Sequence, residues 1–520
     1  MIFKNKKFLN YIILFSTFLL IIFFYLYKLG DIPAGLFCDE AEIGNISGQV
    51  LKGDFSNFIN PFFYYHFNYA LGFLHIYLII PFILFFGMTE FSIRLSSVFF
   101  SILSLIFIYK TFKLLNFKYK LLPIILFAFT PIFFHLSRIN FGHLYSLFFF
   151  ILGFYYYLLS KYKNNKLLSI LSGAFFGIAA YGYIGNIITI PIFIGFLGLQ
   201  EFIKNKFKLP NYKNFFILLI TIIIIYIPIF YTAFTNSTFT QRFREKNSTI
   251  SIVSYKKIKE ILTNYPKYYS YDFLFKKATV DLGDFVSRHS IRGNGIFLQI
   301  SSALLLLSFI GLIFDKDKKK YKLIPFFILF FLYSIPDLIT TKNNVPPYTF
   351  SLFTIIYFLP FLSAYGLDFL IRFLSKDKMF KNIVIYAIFI ILVFQIGQFL
   401  NNYNKYPLYS SDYWGWQYGP KEIIKYFIKE KNNYDEFYMT GSFNQPISLL
   451  NFYNYKKNCK SCFIGGINEY NSSKKQLYAI RTSEINEISK SHPSLIFKEI
   501  NSIKLPNGYK EFLIGTFQEQ

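Results

Sequence analysis

Two carboxylates stand side by side at Asp39 and Glu40, a short stretch beyond an apolar run that ends near Leu26. A carboxylate can take the proton of an attacking hydroxyl, so a general base at this place would serve a displacement by an alcohol. Acids close to hydrocarbon are costly unless they act or stand well out in water. On a helix, adjacent side chains diverge by about 100° and need not share a task. One can face a cavity while the other orients the chain. The plain alternative is a helix start, where acids are favoured in the first turn. Farther along, Arg138 and the pair Arg288-His289, with Arg292 close by, offer donors to an anion. Preorganised arginines stabilise the negative charge that builds on a departing phosphate in a dry site. Arg138 equally suits snorkelling at an interface. The second cluster equally suits ordinary flanking charge, although flanking charge favours the inner side of a membrane.

Other reactive residues carry weaker signals. Cys459 and Cys462 form a C-x-x-C; outside the cytoplasm a local disulfide is the expected fate, since two thiols alone make a poor zinc site. His66 and His75 lie in the same stretch as the acids, but their spacing is not diagnostic and no metal is expected. Tyr413-Trp414-Gly415-Trp416-Gln417-Tyr418 suits either stacking on a sugar ring or an interfacial aromatic belt, and the belt is favoured.

The elements that position these residues are set by composition. Of 520 residues, 54% are hydrophobic, 22% aromatic and only 16% charged, more apolar surface than a soluble domain can hide. The runs Phe8–Leu26, Phe215–Phe230 and Ile383–Phe399 are essentially free of charge, and each suffices, or nearly so, to cross about 30 Å of hydrocarbon. The first is too long for a cleaved signal peptide, and no small-residue cleavage site follows it. The net charge of +26 sits in short clusters between apolar runs, as in cytoplasmic loops, so nucleic-acid binding is not expected. The abundance of Lys, Asn, Ile, Phe and Tyr also reads as coding bias of an AT-rich genome.

Placing the clusters Lys4–Lys7, Lys113–Lys120, Lys161–Lys166, Lys204–Lys213, Asp315–Lys322 and Lys376–Lys381 inside predicts about eleven spans. They fall near 8–28, 91–112, 120–137, 143–160, 167–183, 185–202, 214–233, 296–314, 322–340, 348–373 and 380–400. The apolar run Ala70–Phe86 then lies along the outer interface rather than crossing. The expected fold is a polytopic α-helical membrane protein, with a membrane part over residues 1–400 and external loops at 29–90 and 234–295. Residues 401–520 form a small extracytoplasmic α/β domain, with strand-like stretches at Glu436–Thr440, Leu477–Arg481 and Glu511–Thr516 and an amphipathic helix near Lys421–Glu430. No internal repeat is visible, which speaks against an inverted-repeat transporter.

An ordered set of motifs narrows this reading. Asp39-Glu40-Ala41 is followed by Gly53, Pro61-Phe62-Phe63-Tyr64 and Phe86-Gly87-Met88-Thr89-Glu90-Phe91-Ser92-Ile93-Arg94-Leu95. Then come Ser137-Arg138-Ile139-Asn140, Tyr181-Gly182-Tyr183, Asn264-Tyr265, Asp272-Phe273-Leu274-Phe275, Arg288-His289-Ser290 and Gly293-Asn294-Gly295. Over roughly residues 8–400 this set resembles the protein O-mannosyltransferase and aminoarabinose-transferase clan of C-type glycosyltransferases, which use polyprenyl-phosphate sugars. The resemblance implies the C-type fold, Asp39 as the base that deprotonates the acceptor with inversion at the sugar carbon, and Glu40 beside it supporting the loop or touching the acceptor. It implies Arg138, Arg288 and His289 on the donor phosphate, and Tyr181, Tyr183 and Arg94 on substrate. The acid that clan members often carry a few residues after the second-turn arginine is missing, for this chain reads Phe141-Gly142-His143-Leu144-Tyr145.

The expected activity is an inverting transfer of a monosaccharide from a polyprenyl-phosphate carrier to a glycan, lipid or protein hydroxyl. Membrane lipids are partners, no cofactor is required, and the expected place is a bacterial plasma membrane with the site on its outer face. The rivals are a flippase for polyprenyl-linked sugars, a glycan polymerase or ligase with a lipid-diphosphate donor, and a non-catalytic scaffold. A flippase should carry charges within its spans, whereas the notable charges here fall in external loops.

Overall fold

The structure, a computed structural model, describes residues 6–67, 69–183, 185–204, 213–239, 255–283, 286–335, 338, 347, 354–374 and 377–519. Helices dominate its first four hundred positions. In order these are α1 (Lys6–Leu26), α2 (Cys38–Val50), α3 (Leu74–Phe86), α4 (Glu90–Leu114), α5 (Leu121–Ala128), α6 (Pro131–Leu136), α7 (Gly142–Lys163), α8 (Lys166–Ala179), α9 (Asn186–Lys204) and α10 (Lys213–Thr235). Past the second loop follow Ile300–Phe314, Ile324–Leu332, Leu359–Phe373 and the long helix Lys378–Asn404.

Among the described residues six helices are long and apolar enough to cross a membrane: α1, α4, α7, α9, α10 and Lys378–Asn404. With their exposed Phe, Ile and Leu side chains, they make the chain an integral membrane protein. The eleven crossings expected go beyond these six. The continuous span expected over 120–137 is instead two short helices, α5 and α6. Thr130 is non-helical and Pro131 opens the second helix, since proline has no N–H to continue a helical ladder. The spans expected at 322–340 and 348–373 fall partly outside the described residues. α3 has 13 residues and contains Pro81; at 1.5 Å per residue it reaches about 20 Å, short of the roughly 30 Å hydrocarbon core.

Local sequence explains the turns. Thr89 and Ser92 exchange bonds as a capping box at the start of α4, with Ser92 N donating to Thr89 Oγ1 at 3.1 Å and Thr89 N to Ser92 Oγ at 3.2 Å. Asn164, in the left-handed conformation, ends α7, and Asn165 caps α8, giving a tight helical hairpin. On α8, Gly173 and Gly177 lie one turn apart; a Cβ on either would collide with Leu218 or Ile225 of α10, so glycine lets the two helices meet backbone to backbone.

Charges gather at one end of the bundle. Arg372 Nη1 donates to Asp315 at 2.7 Å, Lys319 Nζ donates to Asp368 at 2.8 Å, and the Lys118 N–H donates to the same Asp368 at 2.8 Å. The basic clusters around residues 118 and 319 therefore share a face, as the loop-charge reading requires.

The first loop is built rather than open. It holds α2, an antiparallel sheet of β1 (Phe58–Asn60), β2 (Phe63–His66) and β3 (Tyr69–Gly72), and α3. The tail carries a five-stranded sheet of β4 (Glu436–Met439), β5 (Cys462–Ile464), β6 (Gln476–Arg481), β7 (Leu495–Lys504) and β8 (Lys510–Glu519) in the order β5-β4-β6-β8-β7. β4 runs parallel to β5 and β6, and the other pairings are antiparallel. The amphipathic helix Pro420–Glu430 buries Ile423, Ile424 and Phe427, and Cys459 and Cys462 are joined.

The tail packs against α2. Asn45 Nδ2 donates to the Ser448 carbonyl at 2.8 Å, and Ser448 Oγ to Glu42 at 2.7 Å; Ser448 lies in the helix Pro446–Tyr453. Gly44 faces the Phe452 ring. The expected aromatic belt is corrected for Trp416, which is fully buried, donates to the Tyr406 hydroxyl at 2.7 Å and stacks on Arg94; Trp414 is exposed.

Candidate active site

Asp39 opens the first turn of α2, where a carboxylate suits the positive end of the helix dipole. It faces a cavity of about 130 Å³ lined also by His66, His75, His143, Tyr181 and Tyr183. Among the described residues it is the one carboxylate in that lining, and its side chain keeps 31% of its exposure. His66, at the end of β2, lies with Nε2 3.3 Å from Asp39 Oδ1. The register pairing His66 with Tyr69 and Tyr64 with Leu71 fixes that side chain, because a slip of one residue would turn it to the other face. Behind it the Tyr64 hydroxyl meets His75 Nε2. Burial, with Asp39 and Glu42 nearby, pushes the Tyr64 phenol well above its usual range, so this hydroxyl stays protonated.

The far wall is made by three backbone segments in close contact. A Cβ on Gly72 would strike the Tyr181 carbonyl, and one on Gly142 the Gly182 carbonyl. These glycines let β3, the start of α7 and the Tyr181-Gly182-Tyr183 turn converge on the cavity. Tyr181 donates from its hydroxyl to the Ile225 carbonyl at 2.6 Å, and the Tyr183 ring packs 3.9 Å from His143, centroid to centroid. His143, which follows Arg138 where the clan's acid is expected, thus lies in the cavity wall.

Glu40 points elsewhere. It is fully buried, with Oε2 3.0 Å from Arg94 Nη2 and Oε1 accepting the Asn140 N–H at 2.7 Å. Arg94 also donates to the carbonyls of Pro33 at 2.8 Å and Gly35 at 2.7 Å. Neither residue lines the cavity, and both make their polar contacts within the fold. Two buried opposite charges satisfy each other, and the pair ties the strap before α2 to α4 and to the turn after α6.

Arg138, expected on the donor phosphate, has both Nη atoms on backbone carbonyls. Its guanidinium donates to the carbonyls of Phe24, Tyr25, Tyr27, Lys28 and Ile32 at 2.7–3.1 Å. It caps the C-terminal end of α1, where carbonyls lack helical partners and a positive charge is favoured. Arg288 differs. Its guanidinium lies 3.9 Å over the Phe37 ring and gives Nη1 to the Trp414 carbonyl at 2.8 Å, while Nε makes no hydrogen bond among the described residues. His289 is buried near Phe141, a residue of the cavity wall. Burial and the adjacent Arg288 push its imidazole well below the usual range, so it is neutral near pH 7.

In the sequence His66 stands out only as one of two histidines near the acids, and its place beside Asp39 comes from the β2–β3 register. Among the described residues no three side chains of His, Cys, Asp or Glu come together as a metal-binding group.

Residues 72–231 match the model of the family described as dolichyl-phosphate-mannose-protein mannosyltransferase. That stretch holds Gly72, His75, His143, Tyr181 and Tyr183 of the cavity but not Asp39. No curated protein sequence matches the chain. Among solved structures it is similar to ArnT from Cupriavidus metallidurans in the apo state, with 10% identity over 97% of this chain and 98% of that one and a TM-score of 0.57. It is also similar to ArnT from the same organism bound to undecaprenyl phosphate, with 10% identity, the same coverage and a TM-score of 0.56. By fold along nearly its whole length, and by the family match over α3 to α10, the chain resembles the C-type glycosyltransferase clan to which its ordered motifs point.

Proposed function

We propose that the protein is an inverting glycosyltransferase that moves a monosaccharide from a polyprenyl-phosphate carrier to a hydroxyl of an extracytoplasmic acceptor. One observation carries this: a single, partly exposed carboxylate, Asp39, faces a cavity in a fold shared with a protein solved with undecaprenyl phosphate. In the reaction the acceptor oxygen attacks the anomeric carbon as its proton passes to the Asp39 carboxylate. The bond from that carbon to the phosphate oxygen breaks, and the electron pair leaves with the lipid phosphate. Attack opposite the leaving group inverts the carbon. His66 holds Asp39 in place, and a general base so held contributes about 10²–10⁴-fold.

Arg288 is the arginine we assign to the phosphate, because among the described residues its guanidinium gives one hydrogen bond where that of Arg138 gives five. Arg138, Arg94 and Glu40 are assigned positioning roles. His289 is neutral, so it would serve the phosphate as a hydrogen-bond donor rather than as a charge. Tyr181 and Tyr183 line the same cavity as Asp39, and we assign them to the substrate.

The test is transfer in reconstituted vesicles from a polyprenyl-phosphate sugar labelled in its headgroup, wild type against Asp39→Asn. Label reaching an added acceptor with wild type alone supports the reading. Equal transfer by Asp39→Asn removes Asp39 as the base, and label crossing the bilayer without transfer in both proteins means a flippase.

A further inference from the structure

A second, larger cavity lies away from Asp39. It is a cleft of about 680 Å³ between the second loop and the helix Lys378–Asn404, within the roughly 300–1,000 Å³ usual for small-molecule sites. Six carboxamides line it: Asn294, Gln299, Gln395, Gln398, Asn401 and Asn402. Four belong to a helix whose best membrane window has a mean hydropathy of 2.5. Gln395, Gln398 and Asn402 follow the three-, four- and seven-residue spacing that keeps side chains on one face of a helix. Polar groups on such a helix are costly unless they meet a partner. Among the described residues only Gln395 of these four helix amides has a local side-chain partner, accepting the Ile300 N–H at 3.0 Å, and Gln299, Gln398 and Asn401 stand exposed.

The floor is rigid. Gly295 lies so close to the Phe275–Lys276 backbone that a Cβ would collide with it, and the Phe297 N–H donates to the Leu274 carbonyl at 2.8 Å. Asp281 accepts the N–H of Gly293 at 2.9 Å and so fixes the rim. A site fixed in advance loses less on binding.

The chemistry of the lining selects a ligand class. A carboxamide offers both an acceptor oxygen and donor hydrogens, which is what vicinal hydroxyls need. A phosphate only accepts, and is served by Arg and Lys. The cleft does hold Lys276 and Lys277, but Lys277 is paired with Asp272 at 2.8 Å, and six amides outnumber the two cations. The helix end that carries them lies next to Tyr406 and Tyr409, which contact Ser287 and Arg292 of the second loop, so the cleft and Arg288 are served by one loop.

We propose that this amide-lined cleft is a carbohydrate-binding subsite that holds the glycan portion of the acceptor. The assignment of the glycan to an acceptor rests on the transferase reading; the binding of carbohydrate does not.

The test uses the full chain in nanodiscs, carrying Gln398→Cys or Asn401→Cys. Both positions are exposed, so neither change empties a core. Background thiols are quiet, because Cys38 is buried and Cys459 and Cys462 are joined. Maleimide labelling is timed with mannotriose, N-acetylchitotriose or maltotriose at millimolar concentration, and with inorganic phosphate or undecaprenyl phosphate, in wild-type and Asp39→Asn backgrounds. At least one neutral trisaccharide should slow labelling about tenfold, the occupancy expected near ten times its Kd, in both backgrounds. Slowing by the phosphates alone would overturn the proposal in favour of a headgroup site, and no slowing by any probe would overturn it outright. Protection without transfer activity in wild type leaves the cleft standing and removes the transferase reading; transfer without protection does the reverse.

Discussion

His66 Nε2 and Asp39 Oδ1 lie 3.3 Å apart although 27 residues separate them in the chain. A strand end and a helix start are brought together so that an imidazole meets the one carboxylate that, among the described residues, lines the cavity. A hydrogen bond to a charged group contributes about 1.5–3 kcal/mol, enough to hold one rotamer against its alternatives.

His66→Ala should therefore lower kcat by roughly 10- to 100-fold while KM for the lipid donor stays near wild type. His66→Asn, which keeps a donor at a similar reach, should recover part of the loss. Steady-state transfer kinetics on the three proteins check this; a change confined to KM would remove the orienting role.

Breaking the Glu40–Arg94 pair should act on the fold first. Glu40→Gln or Arg94→Met leaves one buried charge uncompensated, at a cost of about 3–5 kcal/mol, and should lower the melting temperature in detergent. The double variant should melt closer to wild type than either single one. A stable Glu40→Gln protein that fails only in turnover would return Glu40 to the chemistry.

The two arginines should separate. Arg288→Ala should weaken binding of polyprenyl phosphate by about 10- to 100-fold with little change in melting. Arg138→Ala should lower the melting temperature, because five carbonyls at and just beyond the end of α1 lose the donors it supplies. Lipid binding by tryptophan quenching and scanning calorimetry in the same detergent would read both.

The charge network at the opposite end sets an acid limit. Asp315 is buried, which raises its pKa, but Arg372, the Asp317 N–H and the Tyr365 hydroxyl outweigh that and hold it at about 2. Its folded value lies below the ordinary one of about 3.9. The stability it contributes is thus complete above pH 4 and is lost as pH falls toward 2. Melting followed across that window should drop less steeply in Asp315→Asn than in wild type.

Much of this was legible from residue order. The motifs placed Asp39, Tyr181 and Tyr183 in one family pattern, and they share a cavity. Three of the five tail strands, β4, β6 and β8, followed from alternation and the tail helix from its apolar stripe, whereas β5 and β7 went unread. Partners were not legible. Glu40 and Arg138 read as charges near a membrane boundary and Arg94 as a substrate contact, and such charges fit substrate binding and internal bridging equally well until the carbonyls and carboxylates around them are seen. His66 needed the β2–β3 register, and Trp416 needed Arg94 beneath it. The break at Pro131 was visible as a proline in an apolar run, but a proline within a membrane helix does not always end it.

The bond from Asn45 to Ser448 spans 403 residues, so the helix that carries Asp39 receives its last support long after it is made. At a synthesis rate of about 5–20 residues per second, the ribosome works for roughly 20–80 s between the two. During that interval α2 has no helix at Pro446–Tyr453 to rest on. The setting of Asp39 is then completed as one of the last events of biogenesis, and a chain stalled before that helix would sit in the membrane with α2 unsupported.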